Sequence, residues 1–230
     1  MPKEIQKDSI DIYLKELAKE FKRITGRKVK AEIIIVGGGS VILNYDFRMN
    51  SVDIDAFNTS EEAVKEASLI VAEKYDLPSD WLNDDFKKTK SYSPKLREFS
   101  VPYRTYANVL EFRTVNREYL IAMKMVSGRK YKNDLSDILG VLYYHYQKND
   151  EIKFADIEKA VNDLYGSFDN ISVETQEFVK TAINNKSFIG GYEKQKESES
   201  AIKERLLDFE DAHPDVIAED NIDDIISSLE

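Results

Sequence analysis

The 230-residue chain contains no cysteine. That removes disulfides, thiolate zinc sites and cysteine nucleophiles together, and it fits a reducing compartment such as the cytoplasm. Histidine is nearly as scarce: His145 and His213 lie far apart in sequence, so neither a histidine-rich zinc site nor histidine-centred catalysis has material to work with. Long apolar runs are also missing. Stretches such as Ile33 to Val36 fall far short of the roughly 20 residues a membrane helix requires. The Met-Pro-Lys-Glu start lacks the apolar stretch of a signal peptide. These absences predict a cytoplasmic protein with no membrane partner, whose chemistry rests on carboxylates and lysines.

What is present is enough for a sizeable core, since 42% of the residues are apolar. Lys and Arg number 33 against 43 Asp and Glu, a net charge of −10. Such a balance disfavours broad nucleic-acid binding. The basic stretch of Lys87, Lys88, Lys90, Lys95 and Arg97 could still attract a polyanion, or could simply be a solvated loop.

Periodicity divides the chain into an α+β part and a helical part. Ile10, Tyr13, Leu14, Leu17 and Phe21 recur at helical spacing after Asp8 and Ser9, and Val29 to Val36 reads as a strand buried on both faces. That strand runs into Gly37-Gly38-Gly39-Ser40, then a short helix from Val41 and a second strand, Val52 to Phe57, that alternates apolar with acidic. Thr59 and Glu62 are spaced as a capping box before another helix. Leu77 to Val101 reads as a loop or lid, and Tyr106 to Thr114 as a strand or strand pair. Beyond it, helical patterns follow from Tyr119 to Gly128, from Asp134, over Phe154 to Leu164, Val173 to Ile183 and Glu197 to Phe209, and in the acidic tail through Ile222, Ile225, Ile226 and Leu229. We therefore expect an α+β core over residues 1–115 and a helical domain over 116–230 that completes a cleft.

One constellation carries chemistry. On a strand, residues i and i+2 share a face, so Asp53 and Asp55 would stand roughly 6–7 Å apart. Two like charges that close favour a shared cation or a proton, and Mg²⁺ takes a few carboxylates together with phosphate oxygens. Glycines before a helix let a phosphate approach the N–H groups at its start. A D-x-D motif on its own fits a solvated strand face after an ordinary glycine turn better than it fits a metal site.

Taken together, the buried strand, Gly38-Gly39-Ser40 and Asp53-Ile54-Asp55 resemble the nucleotidyltransferase superfamily of the DNA polymerase β type. A later segment is similar to the AbiEii-like branch: Tyr119 to Arg129 followed by Lys132-Asn133-Asp134-Leu135-Ser136-Asp137-Ile138 matches its L-x-x-K-L-x-A-x-R…K-D-x-x-D-I pattern. That branch includes toxins of abortive-infection and toxin–antitoxin systems. The likeness spans roughly residues 30 to 145. It implies a mixed sheet flanked by helices, with Gly38, Gly39 and Ser40 holding a triphosphate and Asp53 and Asp55 binding Mg²⁺ or Mn²⁺. It also implies that Lys124 contacts the phosphates, that Asp134 lies at the active site as a candidate base, and that Arg129 and Asp137 support the site or bind nucleotide. Lys124 also fits a snorkelling helix lysine, and Asp134 a helix N-cap.

Superfamily members carry a third acid on a later strand. Glu111, in Val109-Leu110-Glu111-Phe112, is the obvious residue here, either as a metal ligand or as a strand-face charge. The resemblance implies transfer of a nucleoside monophosphate from an NTP to a tRNA, a protein or a small molecule, and a cognate antitoxin as a partner. The alternative is a catalytically silent nucleotide-binding or protein-interaction module on the same fold.

Overall fold

A computed structural model describes residues 4–58, 61–218 and 221–229. The chain opens with a two-residue strand β1 (Ile5–Gln6) and a long helix α1 (Lys7–Thr25), followed by β2 (Ala31–Ile35), α2 (Gly37–Asn44), β3 (Asn50–Ser51), β4 (Ile54–Phe57) and α3 (Glu62–Tyr75). Then come β5 (Leu82–Asn83), two short 3-10 turns at Asp85–Lys88 and Pro94–Arg97, and the hairpin β6 (Ser100–Tyr106) and β7 (Leu110–Val115). Helices α4 (Arg117–Ser127), α5 (Asp134–Gln147), α6 (Phe154–Tyr165), α7 (Val173–Asn184), α8 (Gly191–Ala212) and α9 (Ile222–Leu229) complete it. The fold is α+β: a mixed sheet of order β5-β4-β2-β7-β6, flanked by helices and followed by a helical C-terminal part.

The two faces of the sheet bury different partners because strand residues alternate. Ile33 and Ile35 of β2, Ile54 and Ala56 of β4, and Phe112 of β7 share a core with Leu14, Leu17 and Phe21 of α1 and Val64, Ala67 and Val71 of α3. Ile34, Val36 and Phe57 point the other way, into a second core with Leu120 and Ile121 of α4, Ile138 and Leu142 of α5, and Ile157 and Val161 of α6. Strand β2 runs parallel to β7 and antiparallel to β4, so it is hydrogen-bonded on both sides, as its unbroken Ile run suggested.

Several expectations need adjusting. Helix α2 begins at Gly37, four residues before Val41, and α1 at Lys7. The 106–114 segment belongs to a hairpin, closed by Ala107 and Asn108 at φ 52° and 60°, the left-handed pair that matches strand twist in a tight turn. The segment over 77–101, expected as a loop or lid, is an anchored loop with short turns. Phe86 and Leu96 are buried, Ser93 Oγ donates to the Leu164 carbonyl at 2.9 Å, and Tyr165 Oη donates to the Ser91 carbonyl at 2.7 Å. Its lysines are engaged as well: Lys87 pairs with Asp84 and Lys88 with Asp85, each at 2.6 Å, and Lys95 donates to the Asp163 carbonyl. Thr59, expected to cap α3, lies outside the described residues. Among the described residues no helix is long and apolar enough to cross a membrane.

Candidate active site

A cleft of about 220 Å³ opens where the N-terminus of α2, the start of β4, and the α4–α5 junction converge. Ile54 and Ala56 fill the α1/α3 core, so alternation sends Asp53 and Asp55 to the opposite face, where both line the cleft. The Val36 N–H donates to the Asp55 carbonyl at 2.9 Å, fastening the turn before α2 to the acidic strand. Asn83 of β5 donates to Asp53 Oδ2 at 3.4 Å. Burial, and then the charge of Asp53, push the Asp55 carboxyl up to about 6. The pair is thus an acidic wall that favours a cation or a proton.

The glycine turn faces it. Gly37 sits at φ 55°, and a Cβ there would meet Asp55 Oδ2 at 3.5 Å; a Cβ on Gly38 would meet Arg48 Nη2 at 2.9 Å and Ser51 Oγ at 3.0 Å. The first N–H groups of a helix have no acceptor within it and attract anions, and here Gly37 and Gly38 line the cleft. Gly39 and Ser40 do not. A Cβ on Gly39 would meet Ile35 and Ile54 side chains at 2.9 and 3.0 Å. Ser40 is fully buried with its hydroxyl 3.4 Å from Asn44 Nδ2. Of the expected Gly38, Gly39 and Ser40, only Gly38 reaches the cleft, joined there by Gly37 at the start of α2, while Ser40 is buried.

Across from the acids stands a wall of alternating charges. Lys124 Nζ lies 2.8 Å from both Asp134 Oδ1 and Asp137 Oδ2. Arg48 Nη1 reaches Asp137 Oδ2 at 2.5 Å, and Arg129 Nε reaches Asp134 Oδ2 at 2.9 Å. Burial alone would lower the Lys124 ammonium, but the charges of Asp134 and Asp137 outweigh it and hold it above its usual value. Burial would likewise raise Asp134, yet Lys124 and Arg129 hold its carboxyl well below the usual range. A carboxylate so occupied is a poor proton acceptor, which argues against Asp134 as a base. It positions Lys124 and Arg129 instead. Lys132 completes this wall, its ammonium lowered by burial and by the charge of Arg129.

Glu111 is not brought to the cleft. It stands opposite Glu32 in the β2/β7 register, at the start of strands whose far ends reach the site, and pairs with Arg113 at 2.9 Å. Among the described residues no group of three or more His, Asp or Glu is arranged to hold a metal. Asp53 and Asp55 nevertheless suit a divalent cation completed by substrate phosphates, since Mg²⁺ commonly takes only one or two protein carboxylates there.

Sequence reasoning missed Arg48, Ser51 and a role for Lys132, which all line the cleft, and also Glu199. Arg48 follows α2 in a stretch with no periodic pattern. Glu199 sits in a helix expected only as a helical pattern from Glu197, yet it is 1% exposed and accepts the Leu135 N–H at 2.8 Å and the Ser136 N–H at 3.3 Å. It thereby caps α5, the helix that carries Asp134 and Asp137, and burial pushes its carboxyl up to about 7.

A mixed sheet that presents a D-x-D strand to a glycine-led helix start, with a cationic wall opposite, defines a nucleotidyltransferase-type protein. Residues 13–181 match the model of a family described as "Nucleotidyltransferase of unknown function (DUF6036)". The chain belongs to that family. No curated protein and no solved structure matches it.

Proposed function

We propose that this cleft transfers a nucleoside monophosphate from an NTP to a hydroxyl acceptor, with pyrophosphate leaving. The observation that carries the reading is the Asp53–Asp55 pair facing the Gly37–Gly38 helix start, with Arg48, Arg129 and Lys132 across the same cleft. A Mg²⁺ or Mn²⁺ ion held by Asp53, Asp55 and the phosphates would neutralise the triphosphate and favour departure of pyrophosphate. The N–H groups of Gly37 and Gly38 bind phosphate oxygens, and Gly38 keeps the backbone close enough to do so. Arg129 and Lys132 balance the remaining charge, while Lys124, clamped by Asp134 and Asp137, fixes that wall in advance.

The Lys124-to-Asp137 segment supports an assignment to the AbiEii-like branch. With it come a toxin role, a cognate antitoxin, and a tRNA, protein or small molecule as acceptor. A second reading rests on the place of Glu111, away from the cleft and paired with Arg113: a silent module that binds NTP without turnover. Incubation with each α-³²P-labelled NTP, Mg²⁺ and cell extract separates the two. Label on an acceptor with the wild type and none with Asp53→Asn/Asp55→Asn is the expected outcome. Mg²⁺-dependent NTP binding with no transfer and no hydrolysis favours the silent module.

A further inference from the structure

A second cleft, of about 610 Å³, adjoins the first. Arg48, Ser51, Asp53, Lys132 and Asn133 line both, whereas Asp55, Gly37 and Gly38 belong to the first alone. Asp53 therefore stands at the junction. An NTP seated on Gly37, Gly38 and Asp55 would leave the second cleft as a route by which a nucleophile reaches the α-phosphate.

The walls of this second cleft are distinct in chemistry. Leu206 and Leu207 of α8, Val52 before β4, and Ile217 and Ile222 near α9 supply apolar surface. Val52 and Leu207 are 45% and 57% exposed, unusual for large aliphatic side chains standing together beside a polar site. The charges are mixed. Lys132 and Lys203 are offset by Asp53 and Glu210, and Arg48 is already committed to Asp137. One Glu210 oxygen accepts the Asp215 N–H at 3.0 Å, and the other is buried with no partner. A carboxylate with an unfilled acceptor repels a phosphate backbone and suits an N–H or O–H donor. A polynucleotide draws its affinity from cations set against its phosphates, and the two lysines of this wall are offset by two carboxylates.

We infer that the second cleft is the acceptor subsite, and that it takes a polypeptide segment presenting a side-chain hydroxyl flanked by apolar residues. The inference rests on the transferase reading above and names its acceptor class. The hydroxyl oxygen attacks the α-phosphorus and forms an O–P bond. The bond from that phosphorus to the α,β-bridging oxygen breaks, pyrophosphate leaves with the electron pair, and the hydroxyl proton passes to solvent. Leu207 and Glu210 select the acceptor and touch no part of the NTP.

The test compares wild type with Leu207→Glu and Glu210→Lys, using each α-³²P-labelled NTP, Mg²⁺ and cell extract. Three quantities are read: label on acceptor, release of NMP by hydrolysis to water, and the thermal shift caused by Mg²⁺ and NTP. The proposal expects label that protease removes and ribonuclease does not. It expects transfer to fall about 10-fold or more in Leu207→Glu, the scale on which an apolar pocket discriminates, with hydrolysis and thermal shift unchanged. Ribonuclease-sensitive label, or undiminished transfer in both variants, overturns the acceptor class. So does hydrolysis without any labelled protein. Absence of a Mg²⁺-dependent NTP shift in the wild type overturns the transferase reading itself, and the acceptor subsite with it.

Discussion

The two charged walls of the candidate cleft are built by opposite rules. On one, Asp53 and Asp55 stand side by side, with Asn83 as a donor to Asp53 and the Asp55 carboxyl lifted to about 6. On the other, Arg48, Asp137, Lys124, Asp134 and Arg129 alternate in sign, each carboxylate fastened to two cations. The cationic wall is complete before any ligand arrives. The acidic wall is at cross purposes with itself until a cation or proton is added. Preorganisation is thus concentrated on the side that would receive developing negative charge, and the energetic gain from binding on the side that would receive metal.

Breaking the acidic wall has the largest expected effect on activity. Asp53→Asn/Asp55→Asn is expected to lower nucleotidyl transfer by about 100-fold or more, the scale of losing preorganised charge at a reacting centre, as read by label incorporation. The same substitutions relieve repulsion, so the melting temperature of the ligand-free protein at pH 7 is expected to stay level or rise.

Breaking the cationic wall has the opposite signature. Lys124→Met takes one of its two cations from each of two buried carboxylates, Asp134 and Asp137, which are 0% and 1% exposed and keep only Arg129 and Arg48. Removing one partner of such a buried network costs about 3–5 kcal/mol, checked by urea unfolding. Gly38→Ala is a milder insult. Its Cβ would push aside the ends of the Arg48 and Ser51 side chains, so stability should fall by no more than about 1 kcal/mol, and isothermal titration should find weaker binding of NTP with Mg²⁺.

The pH dependence sharpens the contrast. The Asp55 carboxyl is raised in the folded protein from 3.8 to about 6, so the folded state binds more protons than the unfolded chain between those values. Its contribution is full below pH 4 and is lost as pH rises through about 6. Asp55→Asn should flatten that part of the stability profile in metal-free buffer. Smallest of all is Glu111→Gln. Its side chain is 40% exposed and paired only on the strand surface, so stability should change by no more than about 0.5 kcal/mol, with transfer unaltered.

Much of this arrangement was legible in the sequence. The Ile33–Val36 run, the Asp53/Asp55 spacing, and Gly128 closing α4 at φ 52° are local signals, and each element formed where its pattern stood. The misses share a cause: long-range contact. Arg48 and Asp137 are 89 positions apart, so nothing near Arg48 announces its partner. The segment around Phe86 and Leu96 reads as polar loop because its few apolar residues are anchored by the distant α6 through Ser93 and Leu164. Glu199 is indistinguishable from its solvated neighbours until α8 lies against the start of α5. The glycines that line the cleft are displaced by one residue from the expected ones, at a turn fastened to the acidic strand by the distant Val36–Asp55 hydrogen bond.

The most direct test is the thermal unfolding of wild type and Asp53→Asn/Asp55→Asn at pH 7, each alone, with Mg²⁺, with each NTP, and with both together. Two walls of opposite character predict that wild type gains stability from NTP mainly when Mg²⁺ is present. They predict that the variant starts at least as stable and loses the Mg²⁺-dependent gain. A variant that starts less stable, or responds to Mg²⁺ and NTP as wild type does, would contradict the account.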